Sequence, residues 1–232
     1  MSGKNERSSV RRHREEVARL RTLADDWRQS VLPPREPGRP DRVAVAVVPS
    51  NDRRTARLPA DRRSRFVGHL KQLIEEVEQE VAELDPADGR ERARGDTQHS
   101  SPMLGDACAT CRGHCCLTAG EHAYLDSPDI RRFWSTRPTA TGASIAKAYL
   151  GALPERSFSG SCVFHATAGC ALPREMRAEI CNTFLCDGAQ ALKAELADGG
   201  ADRAFLVATG GGELRRATLV DAEGTRRRVR RR

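Results

Sequence analysis

Apolar residues recur at three- and four-residue steps over 10–31, where Val10, Val17, Leu20, Leu23, Ala24, Trp27 and Val31 share one helical face. Leu32-Pro-Pro-Arg-Glu-Pro-Gly-Arg-Pro stops that helix, because proline lacks a donor and keeps the residue before it out of helical geometry. The aliphatic run Val43–Val48 predicts a short strand inside an otherwise Pro/Arg-rich linker, 32–63. Phe66, Leu70, Leu73, Ile74, Val77, Val81 and Leu84 form a stronger stripe, which predicts a helix over about 64–84 with glutamates on its other side. The stripe falls short of the three to four heptads a coiled coil needs, so it belongs against its own domain. Residues 85–107, rich in Asp, Gly, Arg and Ser, read as a mobile linker.

Further on, a hydroxyl at Ser127 can cap a helix at 128–136, and Ile145, Ala148, Tyr149 and Ala152 line one side of another at 142–152. Pro173 suits the first position of a third helix, in which Met176 and Ile180 share a face. After a helix at 188–197, the sequence Phe205-Leu-Val-Ala-Thr, Gly210-Gly-Gly, Leu214 to Val220 predicts a β-hairpin. The expected fold is α+β, mainly α: a small cysteine-rich, metal-organised domain with a C-terminal hairpin, preceded by helices and disordered linkers. The expected segments are 1–63 (basic helix and linker), 64–107 (amphipathic helix and linker), 108–225 (cysteine domain with hairpin) and 226–232 (Arg-rich tail).

Charge sharpens this division. The formal net charge of +7 is carried by residues 1–64 (+7) and 188–232 (+4), while 65–107 is acidic (−5) and 108–187 nearly neutral (+1). Aromatic residues make up only 4% of the chain, so large buried side chains are scarce. The polar start, Met1-Ser-Gly-Lys-Asn-Glu-Arg, shows no secretory signal, and the longest aliphatic run is far below the ~20 residues of a membrane-spanning helix. The expected location is the cytoplasm, where thiols stay reduced and no membrane partner is required.

All eight cysteines then fall in one stretch: Cys108, Cys111, Cys115, Cys116, Cys162, Cys170, Cys181 and Cys186. Thiolates that share an ion must converge, because Zn–S bonds are about 2.3 Å long, and iron–sulfur clusters are also held by several thiolates. All eight are therefore candidate metal ligands. A disulfide framework suits the even count but not the reducing compartment, nor the adjacent pair Cys115–Cys116. The C-x2-C step of Cys108 and Cys111 lets a tight turn aim two sulfurs at one ion, with Cys181 and Cys186 as their expected partners and Cys162 and Cys170 next. Cys181 and Cys186 would lie about 140° apart on one helix, so the helix must end between them, near Asn182-Thr183. Cys115 and Cys116 should diverge, one ligating and the other serving a second metal or a packing role.

Cys108-x2-Cys111-x3-Cys115-Cys116, Gly160-Ser-Cys162-Val-Phe, Gly169-Cys170-Ala-Leu-Pro, Arg177-x3-Cys181 and Phe184-Leu-Cys186 together resemble the YkgJ-type cysteine-cluster family (CxxCxxCC), a zinc- or iron-chelating domain. A related cysteine set occurs in flagellin lysine N-methylases, where it accompanies an iron–sulfur cluster. The resemblance spans about 108–187 and implies that these thiols hold zinc or an iron–sulfur cluster such as 4Fe-4S. This chain departs from the family pattern in having three residues before the double cysteine, and Arg177-Ala178 where Arg-Pro is expected.

Other chemistry is less well served. The C-x3-C-x2-C of radical S-adenosylmethionine enzymes is missing, since residue 118 is Thr118. No catalytic set is identifiable, so whether the chain is an enzyme stays open. His114 and His165, beside or between cysteines, are additional ligand candidates. Arg226-Arg-Arg-Val-Arg-Arg-Arg232 can attract nucleic-acid phosphates, but without nearby aromatics it reads as a solvated tail with weak contacts. The leading expectation is a cytoplasmic metal- or cluster-binding protein with a redox or metal-handling role. The alternatives are a zinc-stabilised nucleic-acid module using its basic ends, and a methylase-related enzyme.

Overall fold

The computed structural model describes residues 3–32, 42–83, 101–197 and 201–230. The linker character expected at 33–41 and 84–100, and the last two arginines, lie outside the described residues. Helix α1 (Gly3–Val31) stops just before the proline cluster, and strand β1 (Val43–Pro49) covers the aliphatic run. Strand β2 (Thr55–Arg57) and helix α2 (Ala60–Glu83) follow. Helix α3 (Pro102–Cys111) begins on a proline and ends at Arg112, which takes a left-handed conformation with φ 59°. A 3-10 turn over His114–Thr118 leads to helices α4 (Ser127–Ser135) and α5 (Gly142–Gly151). Both open on capping boxes, Asp126 with Asp129 and Thr141 with Ser144, which satisfy backbone donors that a helix start leaves free. Strands β3 (Arg156–Phe158), β4 (His165–Ala166) and β5 (Gly169–Cys170) precede a 3-10 turn at Arg174–Met176 and helix α6 (Glu179–Thr183). Helix α7 (Asp187–Ala197) and strands β6 (Arg203–Gly210), β7 (Glu213–Asp221) and β8 (Arg226–Val229) complete the chain.

The protein is thus α+β and mainly α, with the expected C-terminal hairpin formed by β6 and β7. Four local expectations are corrected. Residues 102–107, expected in a linker, form the first part of α3, which runs on to Cys111. Its apolar residues Met103, Leu104 and Ala107 supply a short buried face that a Gly- and Asp-containing stretch concealed. Asp126, not Ser127, caps α4, while the Ser127 hydroxyl donates to Glu76. The helix expected after Pro173 is broken at Arg177–Ala178, so that Met176 is buried and Ile180 is half exposed. Arg226–Val229 is an edge strand rather than a solvated tail.

The chain folds as two compact units, each assembled from separate stretches: Met1–Asp52, His99–His114 and Leu185–Arg232 in the first, Arg53–Gln98 and Cys115–Phe184 in the second. In the first unit a four-stranded sheet runs β1-β6-β7-β8, with β1 and β6 parallel and the other pairs antiparallel. Ala44, Ala46, Val48, Leu206 and Val220 face Met103, Leu104 and Ala107 of α3 and Leu192 of α7. Val45, Phe205, Val207 and Ala217 face Ala24 and Trp27 of α1, with Trp27 edge-on to Phe205. Both sides of β1 and β6 are covered, which is why their sequences are nearly uninterrupted apolar runs. Helix α7 packs so closely on β1 that a Cβ on Gly188 would run into the Val47 carbonyl.

In the second unit Phe66, Leu70, Leu73, Ile74 and Val77 of α2 pack against α4 and α5, and against the Cys162–Phe164 segment. Phe66 meets Phe164 edge to face, with centroids 4.9 Å apart. Strand β2 pairs antiparallel with β3, and β4 with β5. The core therefore holds the loop carrying Cys162 directly against the long helix.

Candidate thiol centre

The eight cysteines divide between the units. Cys108, Cys111 and Cys186 belong to the first, and Cys115, Cys116, Cys162, Cys170 and Cys181 to the second. No disulfide joins any of them. In the first unit Cys108 and Cys111 lie on α3, not in the tight turn expected of the C-x2-C step. Cys111 is buried in the core between α3 and the sheet, against which Cys186 also packs, and its sulfur accepts the His114 backbone N–H at 3.1 Å. His114 Nδ1 lies 3.0 Å from the Ser50 carbonyl oxygen, which fixes the ring.

The second unit carries the principal feature. Cys115, Cys116, Cys162, Cys170 and Cys181 all line one cavity of about 310 Å³. They arrive on four separate segments. Cys115 and Cys116 sit on the 3-10 turn, whose Cys116 carbonyl accepts the Cys162 N–H at 2.8 Å. Cys170 ends the β4–β5 pair, where Gly169 adopts φ 111°, a conformation that favours glycine. Cys181 is on α6, which ends at Thr183 before Cys186, as the spacing of those two cysteines anticipates. Contrary to the divergence expected for Cys115 and Cys116, both thiols reach the same cavity and hydrogen-bond to each other.

The electrostatics follow from these positions. The hydrogen bond from Cys116 holds the Cys115 thiol below its ordinary value, at about 7, and makes Cys116 harder to deprotonate. Loss of solvation on burial pushes both Cys162 and Cys181 up to about 12. Neighbouring thiols add to both shifts, since negative charge on one opposes charge on the next. A cation among them would reverse that penalty.

Other side chains also reach this cavity, among them His165, already a candidate from its place between cysteines. Tyr124 follows Ala123 with both residues in left-handed backbone, φ 54° and 59°. Such strain costs of order 1–3 kcal/mol per residue and persists only where the surroundings impose it. It brings the Tyr124 hydroxyl to Thr118 and within 3.4 Å of the Cys115 carbonyl. Arg177 lines the cavity too, its Nε donating to the Leu172 carbonyl at 2.9 Å. His165 is buried, and burial lowers its pKa to about 4, so it is neutral. Ile180 and Phe184, about half exposed, add apolar wall.

Among the described residues, no three His, Cys, Asp or Glu side chains stand close enough to grip a single ion. The five thiols instead surround a space. Cysteine thiolates are donors that both zinc and iron–sulfur clusters accept. Among the described residues no helix is long and apolar enough to cross a membrane. Compared with protein-family models, curated proteins and solved structures, the chain finds no match.

Proposed function

We propose that this protein is a cytoplasmic carrier of a thiolate-bound metal centre, an iron–sulfur cluster in preference to zinc, held in the second unit by Cys115, Cys116, Cys162, Cys170 and Cys181. The supporting observation is five cysteines from four separate segments on the wall of one cavity. Apolar neighbours such as Leu172, Ile180 and Phe184 keep that wall in a low dielectric, one of the conditions that set a cluster's reduction potential. The resemblance to the YkgJ-type cysteine-cluster family is in accord with this reading, and a redox or metal-handling role follows from it. Cys108, Cys111 and Cys186 belong to the first unit and lie outside this cavity.

When bound, the centre supplies reversible electron transfer if it is a cluster, or structural cross-linking if it is zinc. The chain's own residues do the rest. The thiolates bind, the apolar wall lowers the polarity around them, and the Tyr124–Thr118 pair buttresses the turn carrying Cys115. The test is purification without oxygen, followed by metal analysis and a visible spectrum. A brown protein with iron and sulfide in roughly equal amounts is expected, and serine at Cys162 or Cys170 should remove the colour while serine at Cys108 leaves it. A chain with neither iron nor zinc would overturn the proposal.

A further inference from the structure

One polar side chain of the cavity is built into the fold with unusual definition. His165 and Cys170 are directly opposed partners of the antiparallel β4–β5 pair. Opposed residues project to the same face with Cβ atoms about 4.5–5.5 Å apart, and both line the thiol cavity. The imidazole is 2% exposed and tilted against the Phe158 ring, with centroids 4.6 Å apart, so it has little freedom to turn.

Its Nδ1 lies 2.7 Å from the Ser161 hydroxyl. Ser161 is fully buried, and among the described residues that ring nitrogen is the partner of its hydroxyl. If Nδ1 carried the hydrogen, the serine O–H would need a second acceptor, and a buried donor left without one costs about 1–3 kcal/mol. The satisfied arrangement has Ser161 donating to Nδ1. A neutral imidazole then carries its one hydrogen on Nε2, and among the described residues Nε2 makes no hydrogen bond. Ser161 is itself anchored, because its carbonyl accepts from Arg62, which also pairs with Glu121.

Resting on the reading of the cavity as a metal centre, we propose that His165 is its built-in hydrogen-bond donor, with Nε2–H directed at the Cys170 sulfur and the tautomer set by Ser161. The role is that of a positioning and charge-compensating residue, not of a ligand. An N–H bond to a thiolate withdraws charge from the sulfur, which eases reduction of a cluster and raises its potential.

The tautomer can be read directly on the wild-type chain from its imidazole 15N resonances, whether or not metal is present. The hydrogen is expected on Nε2, and a hydrogen on Nδ1 would overturn the proposal. In the loaded protein, His165→Leu should keep its iron (or zinc) while the midpoint potential falls; with cobalt(II) in place of zinc, the sulfur-to-metal charge-transfer band should move to lower energy. His165→Gln, which retains an N–H, should recover part of the shift, and Ser161→Ala should give a smaller shift in the same direction. Loss of the metal from both His165→Leu and His165→Gln, with the fold retained, would make His165 a ligand and sink the donor role. Unchanged potential and bands in both variants would sink it too. A wild type that holds no metal would defeat the proposed function, and the tautomer measurement would still decide the hydrogen's place.

Discussion

Glu121 illustrates how one side chain stabilises the scaffold of the cavity. Its carboxylate accepts from Arg62 at 2.7 Å and from Arg65 at 3.1 Å, and these cations hold it well below the ordinary carboxylate range, at about 2. A depressed pKa means that the folded state binds its proton less readily than the unfolded chain. The stabilisation is therefore complete above the unfolded value and is lost as pH falls toward about 2. Glu121→Gln should lower the thermal midpoint at pH 7, and the gap from wild type should narrow steadily as the pH falls below about 4.5 toward about 2. A gap that stayed constant down to that pH would show that the charge is not the cause. At this scale much of the site was legible, since clustered thiols are a strong signal and all five cavity cysteines were candidates. What stayed hidden was their grouping. Nothing in spacing shows that Cys115 and Cys116 share a cavity with Cys170, because a hairpin and a broken helix, not the local pattern, aim those side chains. Tyr124 was equally hidden, as left-handed backbone at Ala123 and Tyr124 is imposed by packing and leaves no glycine to mark it.

Among the elements, β1, the hairpin and helices α2, α4, α5 and α7 were read correctly to within a few residues, and α1 starts at Gly3, ahead of the apolar stripe, while α3 and α6 were not read as they stand. Helix α3 was missed because its ten residues include Gly105 and Asp106, and α6 because the expected helix breaks at Ala178. These short elements depend on tertiary partners, as the two glycines of α3 and α7 make testable. A Cβ at Gly188 would collide with the Val47 carbonyl, whereas one at Gly105 would meet nothing within 4 Å. Gly188→Ala should cost about 1–3 kcal/mol, in line with overpacking elsewhere. Gly105→Ala should stabilise by about 0.5–1 kcal/mol, because helical glycine loses more backbone freedom than alanine. Urea unfolding of the two variants checks both signs. Helix α6 has a further anchor: its first N–H, at Glu179, donates to Asp129 at 2.8 Å, and Arg132 joins Asp129, Glu179 and the Arg177 carbonyl. This network holds the segment leading to Cys181.

For the molecule as a whole, the Arg-rich end is a structural strand with basic side chains. Arg226 pairs with Asp106, a carboxyl that is 1% exposed and whose pKa burial pushes up. Deleting 226–232 should therefore lower the melting temperature by uncovering β7 and leaving Asp106 without its cation, while the metal content per chain stays unchanged. Loss of metal on truncation would show that the strand also supports the thiol centre. The parallel pairing of β1 with β6 has a consequence for how the protein is made. Val43 finds its partner Arg203 some 160 residues later in the chain. At ribosomal speeds of about 5–20 residues per second, β1 waits on the order of ten seconds before its neighbour exists. Throughout that interval Val-Ala-Val-Ala-Val-Val is an unpaired, uncharged segment of the kind that seeds intermolecular β-pairing.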